Sequence, residues 1–252
     1  MVQFLIRAAA CVGLWFCLPC FAQVSVPAGA AFNLAGASVD LGGVALHVSG
    51  AVQLGSGVLQ DVSDVTIASG GTLDAGSSTI SLFGNWSDSG IFVRGSSHVD
   101  FVDGAAAAGS IAGDTTFANL SLVSASGKSY AFAAGSTQHI ANVLTLQGTA
   151  SAGIQLRSSS STPAYIDLQP GGTQNIQYVG VSHVHATGQP LAPTEINDGG
   201  SGDALGWFGN GAAANVAQTP TLSLTSIALL LLGLFALARR ALRNPALTRT
   251  LP

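Results

Sequence analysis

Two histidines near the C-terminal end of the chain have the side-chain type and spacing to bind a metal ion. His183 and His185 flank Val184, and side chains two positions apart on a β-strand point to the same side. Such a pair could supply two imidazole ligands. No cysteine, glutamate or third histidine adjoins the pair in the sequence. We therefore predict solvated strand histidines, with no metal and no cofactor.

A glycine-rich stretch follows, in the order Gly199, Gly200, Ser201, Gly202, Asp203. It is similar to a calcium-binding nonapeptide, but in that repeat the aspartate comes one residue later. The repeat also occurs in arrays, whereas this chain has a single copy. We interpret the stretch as a loop that closes the last structural repeat.

Two pairs of aspartates could supply carboxyl groups for acid–base chemistry: Asp61 with Asp64, and Asp100 with Asp103. Both pairs have i, i+3 spacing, which on a strand places the two side chains on opposite faces. Turn formation is the simpler role for them. We therefore expect no catalytic residues, and a β-helix polysaccharide-modifying enzyme, a lyase or a hydrolase, is the alternative.

The charge of residues 23–218 restricts the possible ligands. This segment has eleven Asp and one Glu against three cations, Arg94, Lys128 and Arg157, which gives a formal charge of −9. Such a surface repels phosphate backbones, so nucleic acid is excluded as a partner. The cations are also too few for an active site that must neutralise an acidic sugar.

Short groups of alternating apolar residues recur along this segment, for example Val44, Leu46 and Val48, then Ile80 and Leu82, Val99 and Phe101, Leu144 and Leu146. A period of two is typical of strands, and Gly, Ser, Asn or Asp separates the groups. No stretch before residue 219 has a helical period. The sequence therefore predicts an all-β ectodomain.

A longer period joins these strands. Apolar markers recur at nearly even steps, in the order Val39, Leu59, Ile80, Phe101, Leu122, Leu144 and Ile166. A repeat of about 21 residues suits one coil of a parallel β-helix. We predict a right-handed parallel β-helix, a solenoid, over residues 23–210. The alternative is a set of β-sandwich modules with Trp86 and Trp207 as core anchors.

Residues 1–22 have the features of a signal peptide. Arg7 precedes an apolar stretch, and small residues, Cys20 and Ala22, stand at the positions that a signal peptidase reads. We predict cleavage after Ala22. The only cysteines are Cys11, Cys17 and Cys20, so the exported chain would contain no disulfide.

The C-terminal end has the features of a membrane anchor. Residues 222–238 contain no charge, and the length of this stretch is near the short limit for crossing a bilayer as a helix. Arg239, Arg240 and Arg243 follow and are expected to stop transfer on the cytoplasmic side. We predict a linker over residues 211–219 and export of everything before Pro220.

The motif Pro220, Thr221, Leu222, Ser223 precedes this helix. The order of motif, helix and arginines resembles the IPTL-type C-terminal sorting domain of Gram-negative bacteria, although Thr219 stands where that family usually has isoleucine. The resemblance covers residues 220–252. It implies recognition and cleavage by an exosortase in bacteria that secrete exopolysaccharide. A single-span anchor that is never cleaved is the alternative.

Residues 83–92, 97–101 and 115–122 are similar to the repeat region of large secreted bacterial surface proteins rich in β-strands. Residues 166–208, which end in Gly206, Trp207 and Phe208, resemble the last coils of such proteins. This second resemblance implies architecture more than activity.

Together these features predict a non-catalytic exported protein. It would be an inner-membrane anchored precursor and then lie at the cell surface or outside the cell. Its role would be structural or adhesive, linked to exopolysaccharide or biofilm, with weak glycan contacts spread over a flat face rich in Ser and Thr. An anchored subunit of an exopolysaccharide system is a further alternative.

Overall fold

The computed structural model describes residues 23–200 and 203–209. Within them the chain forms nineteen strands and no helix, and all strand pairings are parallel. The predicted parallel β-solenoid is confirmed. The β-sandwich alternative is wrong, because it requires antiparallel sheets. In this described part of the chain, no helix is long and apolar enough to span a membrane.

The strands, numbered in chain order, are β1 Gln23–Val26, β2 Ala31–Asn33, β3 Val39–Val48, β4 Ala51–Gln53, β5 Val58–Ile67, β6 Thr72–Asp74, β7 Thr79–Leu82, β8 Trp86–Asp88, β9 Ile91–Val93, β10 His98–Phe101, β11 Ala108–Ala112, β12 Thr115–Val123, β13 Ser129–Phe132, β14 Thr137–Gln147, β15 Ile154–Ser158, β16 Ala164–Leu168, β17 Thr173–Gln177, β18 Val179–Ser182 and β19 Val184–Ala186.

The coils have three faces. Face 1 stacks β1, the ends of β3 and β5, then β8, β11, β13, β15 and β18, which makes eight rungs. Face 2 contains β2, β4, β6 and β9, and then the first halves of β12 and β14 followed by β16 and β19. Face 3 stacks the starts of β3 and β5, then β7, β10, the ends of β12 and β14, and β17.

The longest strands pass from one face to the next without ending. In β5 the pairing register shifts between Leu59 and Val62, where Asp61 has a φ of 52°. An aspartate tolerates this left-handed conformation better than most residues. The chain can therefore turn the corner and resume pairing on face 1 at Val65.

Inward side chains stack from coil to coil and form the core. One column on face 3 consists of Leu59, Ile80, Val99, Leu120 and Leu144, all at most 3% exposed. Burial of each such side chain contributes about 1.5–3 kcal/mol. As in any half-buried sheet, the alternation of side chains along each strand places every second residue in the core.

The predicted coil register is partly wrong. Three predicted steps are confirmed as stacked pairs: Val39 with Leu59, Leu59 with Ile80, and Phe101 with Leu122. Ile80 stacks with Val99 rather than Phe101, Leu122 stacks with Leu146 rather than Leu144, and Ile166 lies on face 2. The coil length varies, because the step from Ile80 to Val99 is much shorter than the step from Leu144 to Gln174. No constant period can therefore hold.

Face 2 contains a break in its hydrogen-bond ladder. Strand β9 pairs only with β6, and the stack resumes at β12. Three aromatic rings fill the core at this level: the ring centroid of Trp86 lies 5.0 Å from that of Phe92 and 5.3 Å from that of Phe117. Trp86 Nε1 donates to Thr115 Oγ1 at 3.1 Å. Trp86 is thus a core residue of one coil and not a sandwich anchor.

The last coil is closed by Trp207. Leu191 and Trp207 form a parallel bridge and are at most 1% exposed. Gly206 has a φ of 80°, and a Cβ there would lie 2.4 Å from the carbonyl oxygen of Ala186, so only glycine fits. The tight approach lets Trp207 cover the core above β19.

Candidate functional site

The outward side chains of face 3 form a flat polar surface, here termed the polar face. From β7 to β17 it has two columns in register, Thr79, His98, Asn119, Val143 and Thr173 in the first, and Ser81, Asp100, Ser121, Thr145 and Asn175 in the second. Five rungs about 4.8 Å apart span about 19 Å along the axis. Only Val143 is apolar, so the surface is a regular array of hydrogen-bond donors and acceptors.

Two groups on the polar face are held by neighbouring coils. Asn119 Nδ2 donates to the carbonyl oxygen of Ser97 at 2.9 Å. Asp100 is half-buried; burial raises the pKa of its carboxyl, while the charge of His98 and a hydrogen bond with Ser121 oppose this shift. The column neighbours of Asp100 are Ser81 and Ser121, so no second carboxylate adjoins it in that column.

The other predicted aspartates bind backbone at the corners. Asp64 Oδ1 accepts from the backbone nitrogen and the side-chain nitrogen of Asn85, both at 2.7 Å. Asp103 Oδ2 accepts from the backbone nitrogen of Ala125 at 2.8 Å, and Oδ1 accepts from Ser126 Oγ at 3.0 Å. Burial raises the pKa of Asp103, but these hydrogen bonds outweigh it and hold the pKa below the ordinary value. With Asp61 at its left-handed corner, the turn interpretation accounts for these three residues.

Lys128, one of the three cations of residues 23–218, is buried. It is 2% exposed, and its Nζ donates to the carbonyl oxygens of Phe83 and Val102, the latter at 3.2 Å. Burial lowers the pKa of its ammonium, and the Asp103 carboxylate opposes that shift. Lys128 thus joins corners of successive coils and is not available to bind an acidic ligand.

The structure brings together two motifs that the sequence places apart. Asp203 lies against both histidines: Oδ2 is 3.1 Å from His185 Nε2, and Oδ1 is 3.8 Å from His183 Nε2. The backbone nitrogen of His183 donates to the carbonyl oxygen of Asp203 at 2.9 Å. This backbone hydrogen bond holds Asp203 against the last coil.

The interpretation of the histidines themselves needs correction. His185 is 9% exposed and so is not solvated; the polar atom that faces its Nε2 is Asp203 Oδ2, at 3.1 Å but without hydrogen-bond geometry. His183 has a φ of 55° and lies between β18 and β19, so the two side chains are not related by simple strand alternation. Among residues 23–200 and 203–209, no three His, Cys, Asp or Glu side chains are grouped so that they could hold a metal ion.

A cleft of about 260 Å³ opens at the C-terminal end of the polar face. Strand β17 forms one wall with Gln174, Asn175 and Ile176, and the loop of residues 192–195 forms the other. This cleft was not predicted from the sequence. Its walls are distant in sequence, and no motif marks them.

Two hydrogen bonds of the Gln174 side chain fix the shape of the cleft. Its Oε1 accepts from the backbone nitrogen of Ala192 at 2.8 Å, and its Nε2 donates to the carbonyl oxygen of Pro190 at 2.9 Å. Both side-chain groups thus attach the loop to the last rung of face 3. The cleft is preformed, which reduces the entropy cost of binding a ligand there.

The predicted targeting residues lie outside the described residues. These are the cleavage position Ala22, the sorting motif Pro220, Thr221, Leu222 and Ser223, and the arginines Arg239, Arg240 and Arg243. The predicted membrane helix of residues 222–238 lies outside them as well.

Comparison of the chain with protein-family models, with curated proteins and with solved structures finds no match in any of the three.

Proposed function

We propose that this protein is an exported, non-catalytic structural or adhesive protein that acts through the polar face. The observation that supports this most is the register of that face: hydroxyl, amide and carboxylate groups repeat on five successive rungs with one apolar interruption. Polysaccharides present hydroxyl groups at regular intervals too. A flat array can therefore form many weak hydrogen bonds at once, and their combined strength rises through multivalency.

The environments of the acidic residues favour this role over catalysis. Most polysaccharide hydrolases use two carboxyl groups, one on either side of the scissile bond. Asp64 and Asp103 are engaged with backbone groups of the next coil, and Asp100 has serines above and below it. We therefore expect single Asp→Asn changes at positions 61, 64, 100 and 103 to leave surface attachment largely intact.

The route to the surface is part of the proposal. The N-terminal signal peptide would direct export, and residues 222–238 would retain the precursor in the inner membrane. An exosortase would then cleave at Pro220, Thr221, Leu222 and Ser223, in a Gram-negative bacterium that secretes exopolysaccharide. Intact-mass measurement of the surface form should show loss of everything beyond the motif. A surface form that still contains Arg249 would contradict the sorting step.

The polar face is tested by placing charge on it. Ser121→Lys with Thr145→Lys adds two long cationic side chains to adjacent rungs of one column and should sharply reduce attachment of cells to their own polysaccharide. Thr66→Lys with Ser87→Lys is the matched control, since it adds the same charge to adjacent rungs of face 1 in place of the same two residue types. Equal effects of the two double variants would contradict a specific role for the polar face. Depolymerisation of that polysaccharide by the purified protein would favour an enzyme instead.

A further inference from the structure

We propose that the cleft at the end of the polar face binds a single neutral or amino-bearing pyranose ring of a polysaccharide. This inference rests on the proposed adhesive function and gives it a specific site. The cleft's volume of about 260 Å³ lies just below the range of roughly 300–1,000 Å³ of most small-molecule pockets. It therefore suits one sugar ring rather than an oligosaccharide.

Three polar side chains in the cleft are free to bind a ligand. Within the described part of the chain, Asn175, Thr194 and Glu195 make no side-chain hydrogen bond, and all three are exposed. They offer an amide, a hydroxyl and a carboxylate. Because Gln174 already holds the loop in place, these groups have no structural duty, and they can exchange water for sugar hydroxyl groups.

Apart from Gln174, whose side chain is bonded to the loop, the rest of the lining is apolar. Ile176 is buried at 7% exposure, and Ala192 and Pro193 lie opposite it on the loop. A pyranose has apolar C–H faces and a polar rim. The aliphatic side chains can pack against a C–H face of the ring, and the three free polar groups can bind the hydroxyl groups of its rim.

Charge selects among sugars. Glu195 is the only glutamate of the chain, and the segment around it has a formal charge of −9 over residues 23–218. Among the described residues, no cation lines the cleft. A uronic acid or a sulfated sugar would be repelled, whereas an amino sugar would gain a charge-assisted hydrogen bond to Glu195. Glucosamine should thus bind more tightly than glucose, and glucuronic acid least.

The test uses the full chain in detergent micelles, titrated with glucosamine, glucose and glucuronic acid by calorimetry or ligand-observed NMR. We expect Glu195→Gln to weaken glucosamine binding about fivefold, the ratio that corresponds to an exposed ion pair of about 1 kcal/mol. The same change should raise glucuronic acid binding to the level of glucose. Asn175→Ala should weaken all three. Asp198→Asn removes a carboxylate that does not line the cleft and is the control.

The results separate this inference from the proposed function. Wild-type protein that binds none of the three sugars, or a Glu195→Gln variant with an unchanged order of sugar preference, would overturn the cleft assignment even if cells still attach through the polar face. Conversely, the expected change in sugar preference, together with unchanged attachment in the Ser121→Lys, Thr145→Lys variant, would retain the cleft and reject the adhesive role of the face.

Discussion

Trp86 should join the two halves of the solenoid, and its removal should uncouple them. Face 2 has no ladder pairing between β9 and β12, so at this level the core rings substitute for backbone hydrogen bonds. Trp86 is fully buried and contacts Phe92 and Phe117. Faces 1 and 3 keep their ladders across this junction, through β8 with β11 and β10 with β12. Each coil contacts only its neighbours, so contacts of more distant coils cannot compensate for a weakened junction.

The expected loss in the free energy of unfolding follows from the contacts that each substitution removes. Trp86→Phe keeps an aromatic ring but loses the hydrogen bond to Thr115 Oγ1, for a cost of about 1 kcal/mol. Trp86→Ala also leaves a large cavity, and the expected cost is about 3–5 kcal/mol. Val93→Ala is the control, because Val93 is on β9 in the same coil but 44% exposed; it should change the free energy of unfolding by less than about 0.5 kcal/mol.

Urea unfolding of residues 23–210, followed by circular dichroism, measures these differences. For Trp86→Ala we also expect two separate transitions, with amide exchange faster in β9 and at the start of β12. A single transition with a loss below about 1 kcal/mol would refute the reasoning, since the aromatic cluster would then contribute nothing special at the break.

Four other predictions concern charge and composition. Lys128→Ala should destabilise the fold by about 2–3 kcal/mol in urea unfolding, because it leaves the buried carbonyl oxygens of Phe83 and Val102 without their donor; a neutral effect would contradict the corner role. Asp103→Asn should lower the free energy of unfolding more at pH 6 than at pH 3. The pKa of Asp103 is lower in the folded state than its ordinary value of 3.8, so its carboxylate stabilises the fold at pH values above 3.8, and this contribution is lost as the pH falls through the folded-state pKa. Asp100→Asn should do the opposite and raise stability at neutral pH, since burial raises the pKa of Asp100 and its charged form is costly in the fold; a loss at pH 7 would show that its hydrogen bonds dominate. The circular dichroism of residues 23–210 should be strand-dominated, and reducing agent should not change its melting temperature, because this segment has no cysteine.

Strand alternation is a local property, and so the sequence alone predicts it well. Side chains of a strand point alternately in and out. Val99 with Phe101, and Leu144 with Leu146, can therefore be predicted as core-facing pairs without knowing which strands lie beside them. The absence of a helical period before residue 219, the features that predict export and the acidic charge are read in the same local way. The nearly even spacing of many short strands favours a stacked solenoid, because stacking buries the apolar side of every coil; the β-sandwich alternative was rejected only by the parallel pairing in the structure.

The order of stacking was decided only by the tertiary structure. Inward residues look alike on all three faces, so Ile166 on face 2 could pass for a member of the column that contains Leu144. Corner loops also differ in length, and the inward position moves accordingly. The cleft and the contact of Asp203 with the two histidines depend on which rungs and loops become neighbours in space. Gln174 and Ala192 belong to different elements and meet through one hydrogen bond. The local sequence pattern determines whether a side chain points into the core or to solvent. The lengths of all the coils together determine which residues it contacts.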